Sequence, residues 1–275
     1  MMIGPPLSPA DAVLFEHAVV PRYLSFFASL AIEMMLPSEA ARIVHFGCRS
    51  GFPDPIVADK LPGATLVGLD GSAAALDLAR AKAALFSGMN ATYLLVDSLP
   101  APLPDASFTH AFTLHPVCRP SERALLLAEL RRVLVPGGQA LLALPLRGSF
   151  PEIADIAREC ALKQDLSELG AAVDAAAVSR PTLETIAEEV EGARFDEVEV
   201  DVQLIAVSFD SGRAFLEDPI SKLMVIPEAT AMLDLEPEII DSMLQYLHHA
   251  IAKYWSEGVF ELTVNVGCVS ARRPL

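Results

Sequence analysis

The chain has 275 residues, of which 52% are apolar and 20% are charged, so it can bury a large core and is not expected to be disordered. Its formal net charge is −16, which argues against a nucleic-acid backbone or an anionic membrane surface as the main partner, because both attract Lys and Arg. The mean hydropathy is +0.40, but the best candidate stretch, 12–36, is interrupted by charged residues and Pro21 and lacks the roughly 20 uncharged residues of a membrane span. We therefore predict a globular protein with no membrane span and no nucleic-acid partner.

The four cysteines lie far apart, without the CxxC spacing of a zinc cage and without a disulfide framework. They are Cys48, Cys118, Cys160 and Cys268. The sequence therefore predicts no metal site, and a reducing cytoplasm is the simplest location.

The first predicted element is a long helical segment that begins at Ser8 and Pro9. Serine is a favoured N-cap residue, and proline is tolerated in the first turn because its missing N–H would have no partner there. We expect the segment to run to about Leu36 with a break at Pro21, since proline removes a hydrogen bond inside a helix.

Five short apolar runs then alternate with helical segments. One helix is predicted to begin at Ser72, another N-cap serine, and a later one to run from about Ser121 to Val135. Strands that are apolar on both faces and alternate with helices indicate a parallel sheet covered on both sides. The predicted strands are 42–46, 65–69, 92–96, 108–114 and 139–144.

Two later strands have a different pattern, because apolar and polar residues alternate over 196–204 and 259–270. Such alternation is typical of half-exposed antiparallel strands at a sheet edge. Helices are predicted within 146–195 and 211–258, and the second of these segments is too long for a hairpin loop.

Five motifs carry a resemblance to a known family. The segment 43–51, with the sequence IVHFGCRSG, is similar to the first motif of class I S-adenosylmethionine (SAM) methyltransferases, in particular the small-molecule enzymes related to the ubiquinone and biotin-pathway methyltransferases. The resemblance covers about 40–145, and the first motif is degenerate. The other four stretches that fit the family, in order, are 66–72, 96–100, 103–108 and 130–138.

The resemblance implies a single α/β domain over 1–275. It would contain a seven-stranded, mostly parallel, Rossmann-like sheet with an antiparallel last strand and helices on both faces. Residues 41–145 would form the cofactor-binding core and 1–40 an N-terminal helical lid. The segments 146–195 and 211–258 would be helical insertions that complete the lid.

The candidate cofactor-binding residues follow the predicted strands, at the edge where open parallel sheets bind ligands. Gly47 and Gly51 follow the first strand, where a backbone without side chains lets a cofactor approach. Asp70 ends the second strand and can accept both hydroxyls of a ribose, while Asp97 ends the third and can accept the exocyclic amine of adenine. By resemblance, the set that binds SAM also includes Cys48, Gly71 and Ser98.

His115 is the candidate catalytic residue, because it follows the fourth strand near the place where the resemblance puts the transferred methyl group. A histidine there can act as a general base or contact the substrate, and it can also simply orient a loop. Tyr23, in the N-terminal segment, could close over the cofactor, but surface packing is the role that we expect.

Two residues depart from the family pattern. His45 stands where the family has an acid that helps to hold the amino group of the cofactor, and it supplies no negative charge. Arg49 replaces a glycine, so it either points away from the turn, pairs with the carboxylate of the cofactor or fills the pocket. We favour the outward arrangement, which leaves the pocket open, because Asp70 and Asp97 are both present.

Three functional hypotheses follow. The first is an enzyme that transfers a methyl group from SAM to a small, fairly apolar molecule. The second is a non-catalytic protein that binds or scaffolds a protein partner on a degenerate methyltransferase fold, as His45 and Arg49 suggest. The third is a nucleotide-binding protein that uses Asp70 with another ligand. The fold does not decide among them.

Overall fold

The computed structural model describes residues 5–85 and 90–275, so the first four residues of the predicted N-terminal lid lie outside it. Within the described residues one seven-stranded sheet has the strand order β3-β2-β1-β4-β5-β7-β6. The strands are β1 (Arg42–Phe46), β2 (Thr65–Asp70), β3 (Asn90–Leu95), β4 (Phe108–Leu114), β5 (Leu134–Pro145), β6 (Asp196–Phe209) and β7 (Phe260–Arg272).

The sheet is parallel from β3 to β5 and antiparallel at β7. β1 pairs with β2 and with β4, and β2–β3 and β4–β5 are also parallel pairs. Between β5 and β7, Gly137 N–H donates to the Arg273 carbonyl and Leu146 N–H to the Asn265 carbonyl. The residue number falls along β7 as it rises along β5, so this pair is antiparallel. The predicted α/β fold class is therefore confirmed.

The N-terminal segment is helical, as predicted, but it does not break at Pro21. It consists of α1 (Pro9–Leu14), the π-helical stretch π1 (Phe15–Leu24) and α2 (Ser25–Met34). The Ser8 side chain caps α1 by accepting from the Asp11 N–H. The expected break is wrong because Pro21 lies inside π1, whose wider turns accommodate a residue without an N–H.

The other helices connect the strands as the alternating pattern predicts. None of the helices within 5–85 and 90–275 is long and apolar enough to cross a membrane. These helices are α3 (Asp54–Lys60), α4 (Ala73–Ala83), α5 (Pro120–Val133), α6 (Pro151–Lys163), α7 (Ser167–Ser179), α8 (Leu183–Gly192), α9 (Gly212–Glu217), π2 (Ser221–Val225), α10 (Ile226–Ala231) and α11 (Pro237–Tyr254).

The chain divides into two compact units. The first contains the chain as far as Leu144, together with Leu183–Val202 and Val266–Leu275, and the second contains Pro145–Thr182 and Gln203–Asn265. The second unit has a core of its own, in which buried side chains of α6, α7 and α11 pack together. The predicted helical insertions are thus helical, but their action as a lid and the single-domain organisation stay predictions.

Gly68, in β2, generates a prediction about packing under the loop that follows β1. A methyl group at Gly68 would lie 2.6 Å from Tyr93 Cδ1 and 2.9 Å from Cys48 Sγ. We expect Gly68→Ala to lower the free energy of unfolding by about 1–3 kcal/mol, because a packed core does not absorb added volume. Urea denaturation measures the change.

Gly192→Ala is the matched control. Gly192 ends α8, and an added methyl group would meet no heavy atom within 4 Å. Alanine has the higher helix propensity, so this variant should be neutral or gain up to about 1 kcal/mol. Equal stability of the two variants would contradict the packing described for Gly68.

Candidate functional site

The loop after β1 presents an open stretch of backbone at the carboxyl edge of the sheet. Gly47 has a φ of +68°, and a Cβ added there would meet no atom within 4 Å. Gly51 has a φ of +62°, but its added Cβ would lie 2.7 Å from Asp54 Oδ2. The loop therefore requires glycine at Gly51 for space and conformation, while Gly47 leaves room for a ligand to approach the backbone.

Asp70, at the end of β2, holds the loops after β1 and β2 together. Its carboxylate is fully buried, with Oδ2 accepting from the Arg49 N–H at 2.9 Å and Oδ1 from the Ser72 N–H at 2.8 Å. Burial raises the pKa of the Asp70 carboxyl, and the Arg49 guanidinium and these two N–H groups oppose the rise. A carboxylate has about four acceptor positions, so two N–H donors leave it capacity for a ligand.

Arg49 lies on Asp70 instead of pointing into solvent. Its Nη1 is 3.6 Å from Asp70 Oδ1 and donates to the Pro5 carbonyl at 2.6 Å. The guanidinium also lies over the Phe15 ring, 5.7 Å from the ring centre. The expected outward arrangement is therefore wrong, because a buried carboxylate, a carbonyl and an aromatic ring all attract the guanidinium inward.

The N-terminal segment also contacts the neighbouring loops through polar groups. Leu7 N–H donates to Ser72 Oγ at 3.0 Å, which ties the segment to the start of α4. Glu16 accepts from the Ser50 hydroxyl and from Lys82 Nζ, the latter at 2.6 Å. The segment is thus held against the loops after β1 and β2.

His115, after β4, is buried and pairs with a tyrosine of the N-terminal segment. Its Nε2 is 2.7 Å from the Tyr23 hydroxyl, and the two residues are 92 positions apart. The His115 and Phe27 rings are in a T-shaped, edge-to-face contact with 4.8 Å between ring centres. A hydroxyl and an imidazole in an apolar surrounding form a pair that can accept and pass a proton. Tyr23 is fully buried, so the expected surface packing is wrong. The sequence analysis did not join Tyr23 to His115, since no local pattern links positions so far apart.

Two predicted residues, Asp97 and Ser98, follow β3 and are exposed. Val96 N–H donates to the Asp70 carbonyl at 3.0 Å, so Asp97 begins next to the end of β2. Gly71 is half-buried beside Asp70. The structure thus brings the predicted cofactor-binding residues to one edge of the sheet, and their binding function stays a prediction.

Three buried polar side chains lie together beneath the loop after β1, and the sequence analysis singled out only His45 among them. His45 stacks on Phe112 at 4.0 Å between ring centres, and its Nδ1 is 3.7 Å from Asp54 Oδ1. The Tyr93 hydroxyl donates to Asp54 Oδ2 at 2.5 Å, and burial, followed by the Asp54 charge, raises the pKa of Tyr93 far above its ordinary value. The sequence analysis did not single out Asp54; its position three residues after Gly51 is the one sequence signal that could have located it.

The segment that forms this edge of the sheet is similar to known proteins. Residues 43–138 match the family model described as a methyltransferase domain. The segment 43–138 is thus similar to a methyltransferase domain. Demethylmenaquinone methyltransferase from Thermus thermophilus is 30% identical over 143 residues, which are 49% of this chain and 64% of the relative.

Solved structures of methyltransferases share the fold. Phosphoethanolamine N-methyltransferase 2 from Haemonchus contortus, in complex with phosphomonomethylethanolamine and S-adenosylhomocysteine, has a TM-score of 0.56 at 16% identity. That match covers 98% of this chain and 58% of the other, so this chain spans less than two thirds of both relatives. The (4+2)-cyclase SpnF has a TM-score of 0.52 at 16% identity, over 100% of this chain and 98% of its own. At these identities the likeness establishes the class I methyltransferase fold.

Burial of Cys48 in the loop after β1 generates a prediction about the reactivity of its thiol. Burial raises the pKa of the Cys48 thiol well above its ordinary value, and the Asp70 and Asp54 charges add to the rise. Because the thiolate is the reactive form, we expect iodoacetamide to modify Cys48 at least about 100-fold more slowly in the native protein than in the urea-unfolded chain. Mass spectrometry of the peptide that contains Cys48 measures both rates, and similar rates would show that the loop does not bury the thiol.

Proposed function

We propose that this protein is a SAM-dependent methyltransferase that acts on a small, fairly apolar molecule. The observation that carries the proposal is Asp70, a buried carboxylate at the end of β2, held in place beside the open backbone of Gly47. A carboxylate at this edge can accept the hydroxyls of a ribose while a glycine loop approaches the rest of the ligand. A cytoplasmic location is part of the proposal.

The residues fit both ends of SAM. Asp70 would receive the ribose and the exposed Asp97 the adenine amine, with Gly71 and Ser98 beside them. Asp54 Oδ1 is buried without a hydrogen-bond partner, so the edge offers an acceptor to a donor that is not part of the chain. SAM supplies a methyl group on a positively charged sulfur, so the chain has little bond-making chemistry to provide.

Arg49 is the residue that most affects this fit. In the structure its Nη1 donates to the neutral carbonyl of Pro5. A ligand carboxylate would form a stronger, charge-assisted hydrogen bond with the same guanidinium. We propose that Arg49 holds the carboxylate of the cofactor, which requires the contact with Pro5 to open.

Tyr23 and His115 would act on the methyl acceptor. The His115 imidazole would take a proton from the acceptor, and the Tyr23 hydroxyl, at 2.7 Å from Nε2, would orient the ring. Phe27 supplies an apolar wall beside them. Holding an apolar acceptor in line with the methyl group provides most of the acceleration. The name of the Thermus thermophilus relative gives demethylmenaquinone as its substrate, and an acceptor of that kind fits this proposal.

A second candidate function, a non-catalytic protein that binds a protein partner, is favoured by one observation. Arg49 contacts Pro5 and Phe15 of the N-terminal segment. In this candidate function these three residues would occupy the place of the methionine end of the cofactor and close the crevice. SpnF, named as a cyclase, has the same fold, so the fold does not require methyl transfer.

Titration calorimetry with S-adenosylhomocysteine tests the two candidates. Under our proposal the native protein binds this ligand, and Asp70→Ala weakens binding by about 1.5–3 kcal/mol, because charge-assisted hydrogen bonds to the ribose are lost. Asp77→Ala is the control, since Asp77 is an exposed carboxylate on the adjacent helix α4 and should leave binding unchanged.

Arg49→Gly separates the candidates in the same titration. If Arg49 holds the cofactor carboxylate, the variant should bind more weakly than the native protein. No binding by the native protein, with binding recovered in Arg49→Gly, would reject the enzyme and support the non-catalytic protein.

His115→Gln should slow methyl transfer by about 10²–10⁴-fold, the usual contribution of a general base. Affinity for S-adenosylhomocysteine should stay within about twofold, because the pair acts on the acceptor. Tyr23→Phe should act in the same direction with a smaller effect. Turnover is measured as S-adenosylhomocysteine release with apolar acceptors, beginning with a short-chain demethylmenaquinone analogue.

His248→Gln is the control for the histidine variant, because His248 is exposed on α11. Unchanged turnover in both His115→Gln and Tyr23→Phe would remove this pair from the mechanism and leave orientation alone as the source of acceleration.

A further inference from the structure

A buried acid with one oxygen lacking a hydrogen bond lies under the loop that follows β1. Asp54 is completely buried, and its Oδ2 accepts from the Tyr93 hydroxyl at 2.5 Å. Its other oxygen, Oδ1, has no hydrogen-bond partner, and neither ring nitrogen of His45 has one. These three residues, His45, Asp54 and Tyr93, form what we call the β1 polar cluster.

The hydrogen bonding of the β1 polar cluster is incomplete. A buried carboxylate is costly unless hydrogen bonds or a positive charge compensate it. The nearest ring nitrogen, His45 Nδ1, is 3.7 Å from Asp54 Oδ1, beyond hydrogen-bond distance. Tyr93 supplies one neutral donor, so the second oxygen of Asp54 still lacks a donor.

The position of the cluster connects it to the proposed cofactor site. A Cβ added at Gly51 would lie 2.7 Å from Asp54 Oδ2 and 3.0 Å from the Tyr93 hydroxyl, so the loop backbone passes directly over the cluster. Cys48, in the same loop, is close enough to both Asp54 and Asp70 for each charge to raise the pKa of its thiol. The two buried carboxylates therefore flank one loop, with Arg49 on the side of Asp70.

The chemistry of the unpaired atoms points to a primary ammonium group. An ammonium carries a positive charge and three N–H donors, which match one carboxylate oxygen and an imidazole nitrogen. Arg49, which lies beside Asp70, is positively charged and therefore suits a ligand carboxylate.

We propose that Asp54, oriented by Tyr93 and flanked by His45, binds the ammonium group of the amino-acid end of the ligand. This inference rests on the proposed SAM-binding function and names the residue that compensates for the missing acid at His45. The acid comes from α3 and not from β1, and Tyr93 is a positioning residue that acts through Asp54.

A pair of ligands tests the inference without any substitution. S-adenosylhomocysteine is compared by calorimetry with its analogue that lacks the α-amino group. The native protein should bind the complete ligand about tenfold to 100-fold more tightly, the usual effect of a charge-assisted hydrogen bond. A ratio close to one would overturn the inference while leaving nucleoside binding, and thus the proposed function, in place.

Variants then assign the ammonium to Asp54. Asp54→Asn should bring the affinity ratio of the two ligands close to one by weakening only the complete ligand. Asp59→Asn, which neutralises an exposed acid on the same helix, should keep the native ratio. Tyr93→Phe removes a single hydroxyl and should lower the ratio partly, and it serves as the test if Asp54→Asn does not fold.

The outcomes separate the two proposals. A native ratio that persists in Asp54→Asn, or in Tyr93→Phe where the first variant does not fold, would assign the ammonium to another residue and overturn the inference alone. Failure of the native protein and of Arg49→Gly to bind either ligand would overturn the proposed function and the inference together.

Discussion

The need to satisfy the buried carboxylate of Asp70 organises the whole carboxyl edge of the sheet. A charge with no contact to water must find hydrogen bonds or a positive partner, and Asp70 takes N–H groups from two different loops and a guanidinium. Arg49 and Ser72, which supply these groups, also bind the N-terminal segment at Pro5 and Leu7. One side chain therefore fixes two loops and, through them, the path of the chain that precedes α1.

The same arrangement creates a competition for Arg49. Its guanidinium contacts the Asp70 carboxylate, a neutral backbone carbonyl and the Phe15 ring. Only the first of these contacts carries a full negative charge. An anionic ligand group would replace the Pro5 carbonyl at a gain, because hydrogen bonds between charged groups are stronger than those to neutral carbonyls. Under the proposed function, binding of the ligand carboxylate to Arg49 would therefore break the contact of Arg49 with Pro5 and release the start of the N-terminal segment.

Local patterns in the sequence were enough to predict the strands and the two that lie at one side of the sheet. The alternation of apolar runs and helices identified the parallel strands, the period-two pattern at 196–204 and 259–270 identified the edge, and strand ends located Asp70. Contacts between residues that are far apart in the sequence could not be predicted from it. Tyr23 meets His115 across 92 residues and Tyr93 meets Asp54 across 39, and no local periodicity encodes either pair.

The inward turn of Arg49 was missed for a different physical reason. Judged alone, a charged side chain on a turn favours solvent, and only the fold shows that a buried acid and an aromatic ring lie beside it. His45 is the complementary case, since β1 carries no acid there but Asp54, at the start of α3, has its Oδ1 3.7 Å from His45 Nδ1. The first motif looks degenerate when it is compared position by position. In three dimensions its loop still lies beside two buried acids, Asp54 and Asp70, and one cation, Arg49, which are the charges that the proposed binding of SAM requires.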